Sequence, residues 1–475
     1  MAAHPIAKRE VEKIRSRSGP SRREWVTAII ALTAAFIAYA VVWPQAPLLS
    51  LDTPVYMQLA REIKAGNITE LSTRTPGFPV LLILTGSEDT AGRALYCVQL
   101  LLYLSAVGFS AWLLRWLDID RRLVLGMLAT ALLPPFVEPC AHADSEALCQ
   151  FMVVAATASV VTWRITGRNA WLWVFSFAAL GAAFVRPTYQ FLVPAVAVAL
   201  FALPVVGVGR HDSLGRLTKA MLVPVAVSVC GLGSYAGFNY AKFGYFDTSA
   251  MTPYTLSTKT ASFVECLPDE YAGVREILLK HRDRELLRPF EDHTAQGYIH
   301  RAMPEIIQLF DNEQVKALRA VKQANLYLIS RKPMSYLIES LKSMTTYWMP
   351  AEYELSSGDS VVQRLFWVAV QIGVVVLLFF LAIVLTGVGT AYVATRVRYV
   401  GLAQFAAITN HQITAYVITL TVIGYAASIS CFAGMGIARY RVTSELVILI
   451  CCTVGLTLFR RVISFTGTIC SRASD

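Results

Sequence analysis

The sequence predicts an all-α polytopic membrane protein with about ten spanning helices, and three observations predict it. Of 475 residues, 55% are hydrophobic and only 16% are charged, whereas a soluble chain carries about 25% charged residues. The mean hydropathy is +0.52. Apolar runs that approach or exceed the ~20 residues needed to cross the hydrocarbon core recur along nearly the whole length. They make one membrane domain rather than a string of soluble ones.

The expected spans are 25–43, 94–114, 123–137, 146–162, 170–185, 189–208, 219–240, 364–386, 412–434 and 445–459. Residues 1–24 form a basic tail with Lys8, Arg9, Lys13, Arg15, Arg17, Arg22 and Arg23. Ala38-Tyr39-Ala40 resembles a signal-peptide cleavage site, but the length of the first run and the spans that follow favour a membrane helix. The stretch 387–411 reads either as an inner loop with an interfacial helix or as a short hairpin pair.

The net charge of +10 would suggest nucleic acid in a soluble protein. Here the basic residues sort to one side. With the N-terminus inside, Arg115, Arg121, Arg122, Arg164, Arg168, Arg210, Arg216, Lys219, Arg396, Arg398, Arg460, Arg461 and Arg472 all fall on the inner side, which is the positive-inside pattern. Both termini are therefore expected in the cytoplasm of a plasma (bacterial inner) membrane, and no nucleic acid partner is expected. Nine cysteines lie mostly in apolar runs, with no CxxC and no Cys/His metal spacing. They indicate neither a disulfide framework nor a zinc site.

This threading divides the chain into the tail, a transmembrane region 25–240 with outer loops 44–92 and 134–145, an outer region 241–362, and a C-terminal transmembrane region 363–475. In the first outer loop, Asp52-Thr53-Pro54 precedes a helical stretch ending at Gly66. Asp or Thr suits a helix N-cap, Pro the first helical position and Gly the end. Tyr56, Leu59, Ala60 and Ile63 share one face, and Gln58, Arg61, Glu62 and Lys64 the other. An amphipathic helix lying along the membrane surface is expected. Val80–Leu84 is too short to cross and is expected to dip into the outer leaflet. The large outer region shows helical patterning at 320–349.

Asp52 reads as a helix cap or as a working carboxylate. Glu138, Asp144 and Glu146 crowd the short loop 134–145 and the helix start beside it, as capping acids or as a second acidic contribution to a site. Arg186, Arg439 and Arg441 lie in short outer loops, where arginine is costly without a partner. They suit either solvated helix ends or a phosphate group. His281, His293 and His300 share no helix face and read as surface residues.

Several landmarks resemble one family. Ser50-Leu51-Asp52-Thr53-Pro54-Val55-Tyr56 followed by Arg74-Thr75-Pro76-Gly77-Phe78-Pro79 resembles the first outer loop of GT-C fold glycosyltransferases, in the bacterial branch akin to protein mannosyltransferases and the lipid A aminoarabinose transferase. Phe184-Val185-Arg186-Pro187, Asn239-Tyr240 through Phe243-Gly244-Tyr245, and Ala438-Arg439-Tyr440-Arg441 resemble later landmarks, in order.

The resemblance implies transfer of a sugar from a polyprenyl-phosphate donor to a glycan, lipid or protein acceptor at the outer face. It implies Asp52 as the catalytic acid of the loop, Tyr56 and Arg74 in the substrate pocket, and Arg186, Arg439 and Arg441 on the donor phosphate. Many relatives have two adjacent acids where this chain has Asp52-Thr53, so Glu138, Asp144 and Glu146 are candidates for the second. A divalent metal is left open. The chemistry is compatible: a carboxylate activates a hydroxyl nucleophile, and arginines stabilise a departing phosphate. The alternatives are an O-antigen polymerase or ligase type of membrane enzyme, and a lipid-linked sugar transporter or flippase. Spans almost free of charge and without repeats count against transport.

Overall fold

The structure, a computed structural model, describes residues 22–42, 47–50, 52–205, 214–286, 297–348, 402–434 and 439–473. The expected span 364–386, most of the basic tail, Arg210, His293, Arg396 and Arg398 lie outside the described residues.

Helices follow one another in the order α1 (Arg22–Val42), α2 (Thr53–Lys64), α3 (Gly77–Leu84), α4 (Arg93–Trp116), α5 (Arg121–Ala131), α6 (Glu146–Thr166), α7 (Ala170–Val185), α8 (Leu192–Val205), α9 (Leu214–Phe243), α10 (Met251–Thr260), α11 (Ala272–Leu286), α12 (Gly297–Leu309), α13 (Gln314–Arg331), α14 (Pro333–Trp348), α15 (Leu402–Phe432), α16 (Arg439–Val442) and α17 (Glu445–Ala473). Among the described residues there is no strand, only one isolated parallel bridge between Leu48 and His142.

Arg23–Val42, Arg93–Trp116, Glu146–Thr166, Gly215–Phe243 and Asn410–Phe432 are each long and apolar enough to cross a membrane. Ala170–Val185 and Pro187–Leu203 are shorter apolar helices, and α17 lies where the last span was expected. The expected straight span 123–137 is instead bent by 67° between Arg121–Ala131 and Pro134–Ala141. The cause is local. Pro134 and Pro135 offer no N–H to the preceding turn, and Leu133 before them is extended, at φ −67°, ψ 143°. Of the ambiguous stretch 387–411, the described part from Leu402 runs on as helix into the next span.

α6 is the most enclosed of these spans and packs against α4, α7, α15 and α17. Their apolar side chains form one large core that includes Leu100, Tyr103, Val153, Val160, Phe175, Ile418 and Ile450. A second, separate core, with Tyr245, Val264, Ile299, Ile306, Leu318 and Val321, holds α10–α13 together. The expected helical run 320–349 is broken at Pro333 into α13 and α14.

α2 starts and ends close to expectation, and Gly66 just beyond it takes the left-handed φ of +68°. Its apolar face meets protein rather than lipid alone. Tyr56, Met57 and Ala60 pack with Phe78, Leu82, Leu95 and Ala143, and the Tyr56 and Phe78 rings meet edge to face at 4.9 Å. On α3, Phe78 and Leu82 point inward, while Val80 and Leu84 are exposed.

Candidate active site

The segment that leads into α2 is pinned to the short loop that precedes α6. Leu48 N donates to Ala141 O at 2.7 Å and Ala143 N donates to Leu48 O at 2.8 Å. Thr53 Oγ1 donates to Ala143 O at 3.1 Å, and Tyr56 OH to Ser145 Oγ at 3.1 Å. From the other side, the fully buried Gln99 of α4 donates through Nε2 to Cys140 O at 3.0 Å and His142 O at 2.8 Å. These bonds satisfy loop backbone groups that are buried and so need partners. They also place Asp144 and Glu146 beside Asp52.

Asp52 precedes α2 but does not cap it with its side chain. Its backbone is helical, at φ −85°, ψ −25°, with no side-chain cap bond. Its carboxylate instead pairs with Arg74 through Oδ1 and with Arg439 Nη1 through Oδ2 at 3.3 Å. Asp144 accepts from Ser50 Oγ at 2.8 Å and lies 2.8 Å from Arg439 Nη2. Glu146, fully buried at the start of α6, pairs with both Arg186 and Arg439. Arg186, where α7 ends, also donates through Nε to Ser145 Oγ at 2.9 Å. Its guanidinium sits 5.4 Å over the Tyr440 ring, and that of Arg74 sits 5.5 Å over Tyr56.

Three carboxylates and three guanidinium groups therefore form one network in which Arg439 serves all three acids. Burial, and then the neighbouring Glu146 carboxylate, raise the Asp144 carboxyl above its ordinary value, while Arg439 acts the other way. One guanidinium divided among three acids compensates each only in part, so the burial effect wins at Asp144.

Not every expected residue joins this network. Arg441, two residues past Arg439, points away from it: Nη1 donates to Tyr347 O at 3.0 Å and Nη2 pairs with Glu445 at 3.3 Å. On a helical turn, residues two apart lie on nearly opposite faces, so of the Arg439/Arg441 pair only Arg439 reaches the acids. Glu138 is half-buried in the 3₁₀ turn Glu138–Ala141, at the far end of the loop that delivers Asp144 and Glu146. His281 is not a surface residue: it is buried, with Nε2 2.9 Å from Glu305 Oε1.

Gly77 accounts for the tight Thr-Pro-Gly-Phe-Pro turn. A Cβ there would lie 2.6 Å from Phe184 O and 2.8 Å from Val185 Cγ2. The absence of a side chain lets this segment press against the end of α7, and so brings Arg74 and Arg186 to the same site. Sequence reasoning assigned no role in the site to Gln99, Ser50 or Ser145; for Gln99, a polar side chain within an apolar run was the only available signal.

Among the described residues, no group of three or more His, Cys, Asp or Glu side chains is arranged to hold a metal ion. The three clustered acids already face guanidinium groups, so the cluster as it stands does not suit a divalent cation. Arg186 Nη1 and Arg74 Nε are buried with no hydrogen-bond partner among the described residues. Such donors suit an anion.

The sequence matches no family model and no curated protein, but its fold matches solved structures. The chain aligns with the archaeal oligosaccharyltransferase AglB from Archaeoglobus fulgidus, solved with an inhibitory peptide and a dolichol-phosphate, at a TM-score of 0.50 and 13% identity. That match covers 92% of this chain and 51% of AglB. The apo oligosaccharyltransferase of Archaeoglobus fulgidus aligns at a TM-score of 0.44 and 12% identity, over 91% of this chain and 50% of that one. ArnT from Cupriavidus metallidurans in the apo state aligns at 0.36 and 14%, over 90% of this chain and 77% of ArnT. The chain thus spans about half the length of the two oligosaccharyltransferases it matches. The helices and apolar spans define an all-helical polytopic membrane protein. Its fold is the GT-C fold to which the ordered landmarks pointed.

Proposed function

We propose that the chain is a membrane glycosyltransferase. It moves a sugar from a polyprenyl-phosphate-linked donor to an acceptor hydroxyl on the outer face of the membrane, with Asp52 as general base. The observation that carries this reading is the convergence on Asp52 of arginines from distant segments, Arg74 and Arg439, with Arg186 tied in through Glu146. AglB, which shares the fold, was solved with dolichol-phosphate, a ligand of the proposed donor class.

In the proposed reaction Asp52 takes the proton of the acceptor hydroxyl, and the hydroxyl oxygen bonds to the anomeric carbon. The bond from that carbon to the phosphate oxygen breaks, and the phosphate leaves with the electron pair. Arg186 and Arg439 meet the developing charge. Without donor, both arginines are occupied by Glu146, Asp144 and Asp52. An arriving phosphate competes for these same donors through charge-assisted hydrogen bonds. Its capture of Arg439 releases Asp52 Oδ2 towards the acceptor, which links base availability to donor binding. Arg186 Nη1, buried without a partner among the described residues, would gain one when the phosphate enters the cluster.

The test is sugar transfer by purified protein from undecaprenyl-phosphate-linked sugars, comparing wild type with Asp52→Asn at matched protein levels. Asn matches Asp in shape and keeps a side-chain oxygen for Arg74 or Arg439 to bond, so the variant should insert and fold. Loss of a general base should lower turnover by roughly 10²–10⁴-fold. Near-normal turnover would remove Asp52 from the role of base.

A further inference from the structure

The helical unit α10–α13 presents one side chain to the ionic cluster that the sequence reading left among surface residues. The ring of His300, on α12, is exposed. Even so, burial lowers the basicity of its imidazole below the ordinary value, Arg74 lowers it further, and Asp52 acts in the opposite sense.

Tyr254 of α10 backs this ring, with centroids 4.9 Å apart and planes inclined by 33°. Tyr254 itself is buried, so it acts as a wall and His300 offers the accessible face. The start of α10 is stitched to the segment that carries Arg74. Ala250 N donates to Ser72 O at 3.0 Å, Ser249 Oγ donates to Thr73 O at 2.7 Å, and Arg74 Nη1 lies 3.9 Å from Met251 Sδ. Asp52 therefore has two sides. Oδ2 faces Arg439 and the other bundle groups. Oδ1 faces Arg74, and Met251, at the start of α10 and one helical turn before Tyr254, lies against Arg74.

We infer that His300, steadied by Tyr254, is an acceptor-binding residue, and that the acceptor it binds is a carbohydrate. The inference rests on the glycosyl-transfer reading and adds to it the acceptor class and the residue that meets it. A neutral imidazole donates at one nitrogen and accepts at the other, which matches neighbouring hydroxyls on a sugar ring. The flat ring face suits the C–H face of a pyranose. Arg186 and Arg439 belong to the bundle and its acids, whereas His300 belongs to the α10–α13 unit, so donor and acceptor are held by different parts of the fold.

The experiment uses the purified full chain in detergent, with two probes measured separately. Undecaprenyl phosphate is titrated by thermal shift, and methyl α-glucopyranoside, methyl β-galactopyranoside and methyl α-mannopyranoside by saturation-transfer NMR. Wild type, His300→Ala, His300→Gln and Tyr254→Phe are compared. Loss of one or two hydrogen bonds in His300→Ala should weaken binding of the preferred glycoside about 10-fold. His300→Gln, which keeps a donor and an acceptor, should recover part of that loss. Tyr254→Phe keeps the wall and should bind like wild type. Undecaprenyl phosphate affinity should stay within about two-fold in all variants, since the arginines are untouched. Equal glycoside binding by wild type and His300→Ala overturns the inference, as does absence of glycoside binding by a wild type that binds undecaprenyl phosphate. Failure of wild type to bind undecaprenyl phosphate instead counts against the glycosyl-transfer reading, and the glycoside titration still reports on His300.

Discussion

Arg439 reaches Asp52 across 387 residues of sequence, with Nη1 3.3 Å from Oδ2, and the same guanidinium lies 2.8 Å from Asp144 Oδ2 and donates through Nε to Glu146. A planar fork with five N–H donors serves three carboxylates in a way a point-charge ammonium does not. This contact closes the site, because it joins the segment before α2, the start of α6 and the turn before α17.

Arg439→Lys keeps the charge and removes the fork. Charge-assisted hydrogen bonds contribute about 1.5–3 kcal/mol each, so undecaprenyl phosphate affinity should fall roughly 10- to 150-fold. Arg441→Lys should leave that affinity within about two-fold and lower the melting temperature instead, since Arg441 ties Tyr347 of α14 to Glu445 of α17. Equal losses of affinity in the two variants would contradict the assignment of Arg439 alone to the site.

Gly77→Ala places a methyl group 2.6 Å from the Phe184 carbonyl oxygen, and backbone cannot turn aside as a side chain can. The segment must back away from α7, at a cost of about 1–3 kcal/mol for overpacking, and Arg74 moves with it. Both melting temperature and transfer activity should drop. Gly66→Ala is the control: nothing lies within 4 Å of its added methyl, but φ is +68°. It should cost about 1–2 kcal/mol in stability through the left-handed backbone alone and leave turnover near normal in the folded fraction.

Asp144 contributes a pH dependence of definite sign. Its carboxyl is raised above the ordinary value of 3.8, first by burial and then by Glu146. The folded protein therefore holds this proton more tightly than the unfolded chain does. The stability linked to it is present at low pH and declines as pH rises from about 4 through the raised value. Asp144→Asn has no proton to lose, so its melting temperature in detergent should decline less than that of wild type over this interval. Parallel profiles for the two proteins would refute the assignment.

The charge sorting proposes cytoplasmic termini, with the loop bearing Asp52 and the helical unit bearing His300 outside. Reporter fusions after Gly66 and after Asp283 should both read an external location. A cytoplasmic signal from either would invert the orientation and remove the outer-face reaction.

Sequence alone determined that the chain is an all-helical membrane protein, where most spans lie, and that Asp52, Arg186 and Arg439 merit attention. These conclusions depend on local properties. Apolar run length reports on the bilayer, and a charge at the end of such a run stands out wherever the chain folds. The bend after Ala131 was not foreseen, although its cause, Pro134 and Pro135, is local as well. Arg439 and Arg441, in contrast, are equivalent in sequence, and only helical geometry sends them to different partners. Asp52 has the spacing of a helix cap, yet its carboxylate turns to two arginines whose chain positions no periodicity connects. Gln99 stands out in sequence only as a polar residue in an apolar run, and His300 not at all, because their roles depend on which loop or helix is packed against them. The tertiary structure decided these matters, since a buried charge is settled by whichever opposite charge the closed fold brings within reach, and that partner is set by packing across hundreds of residues.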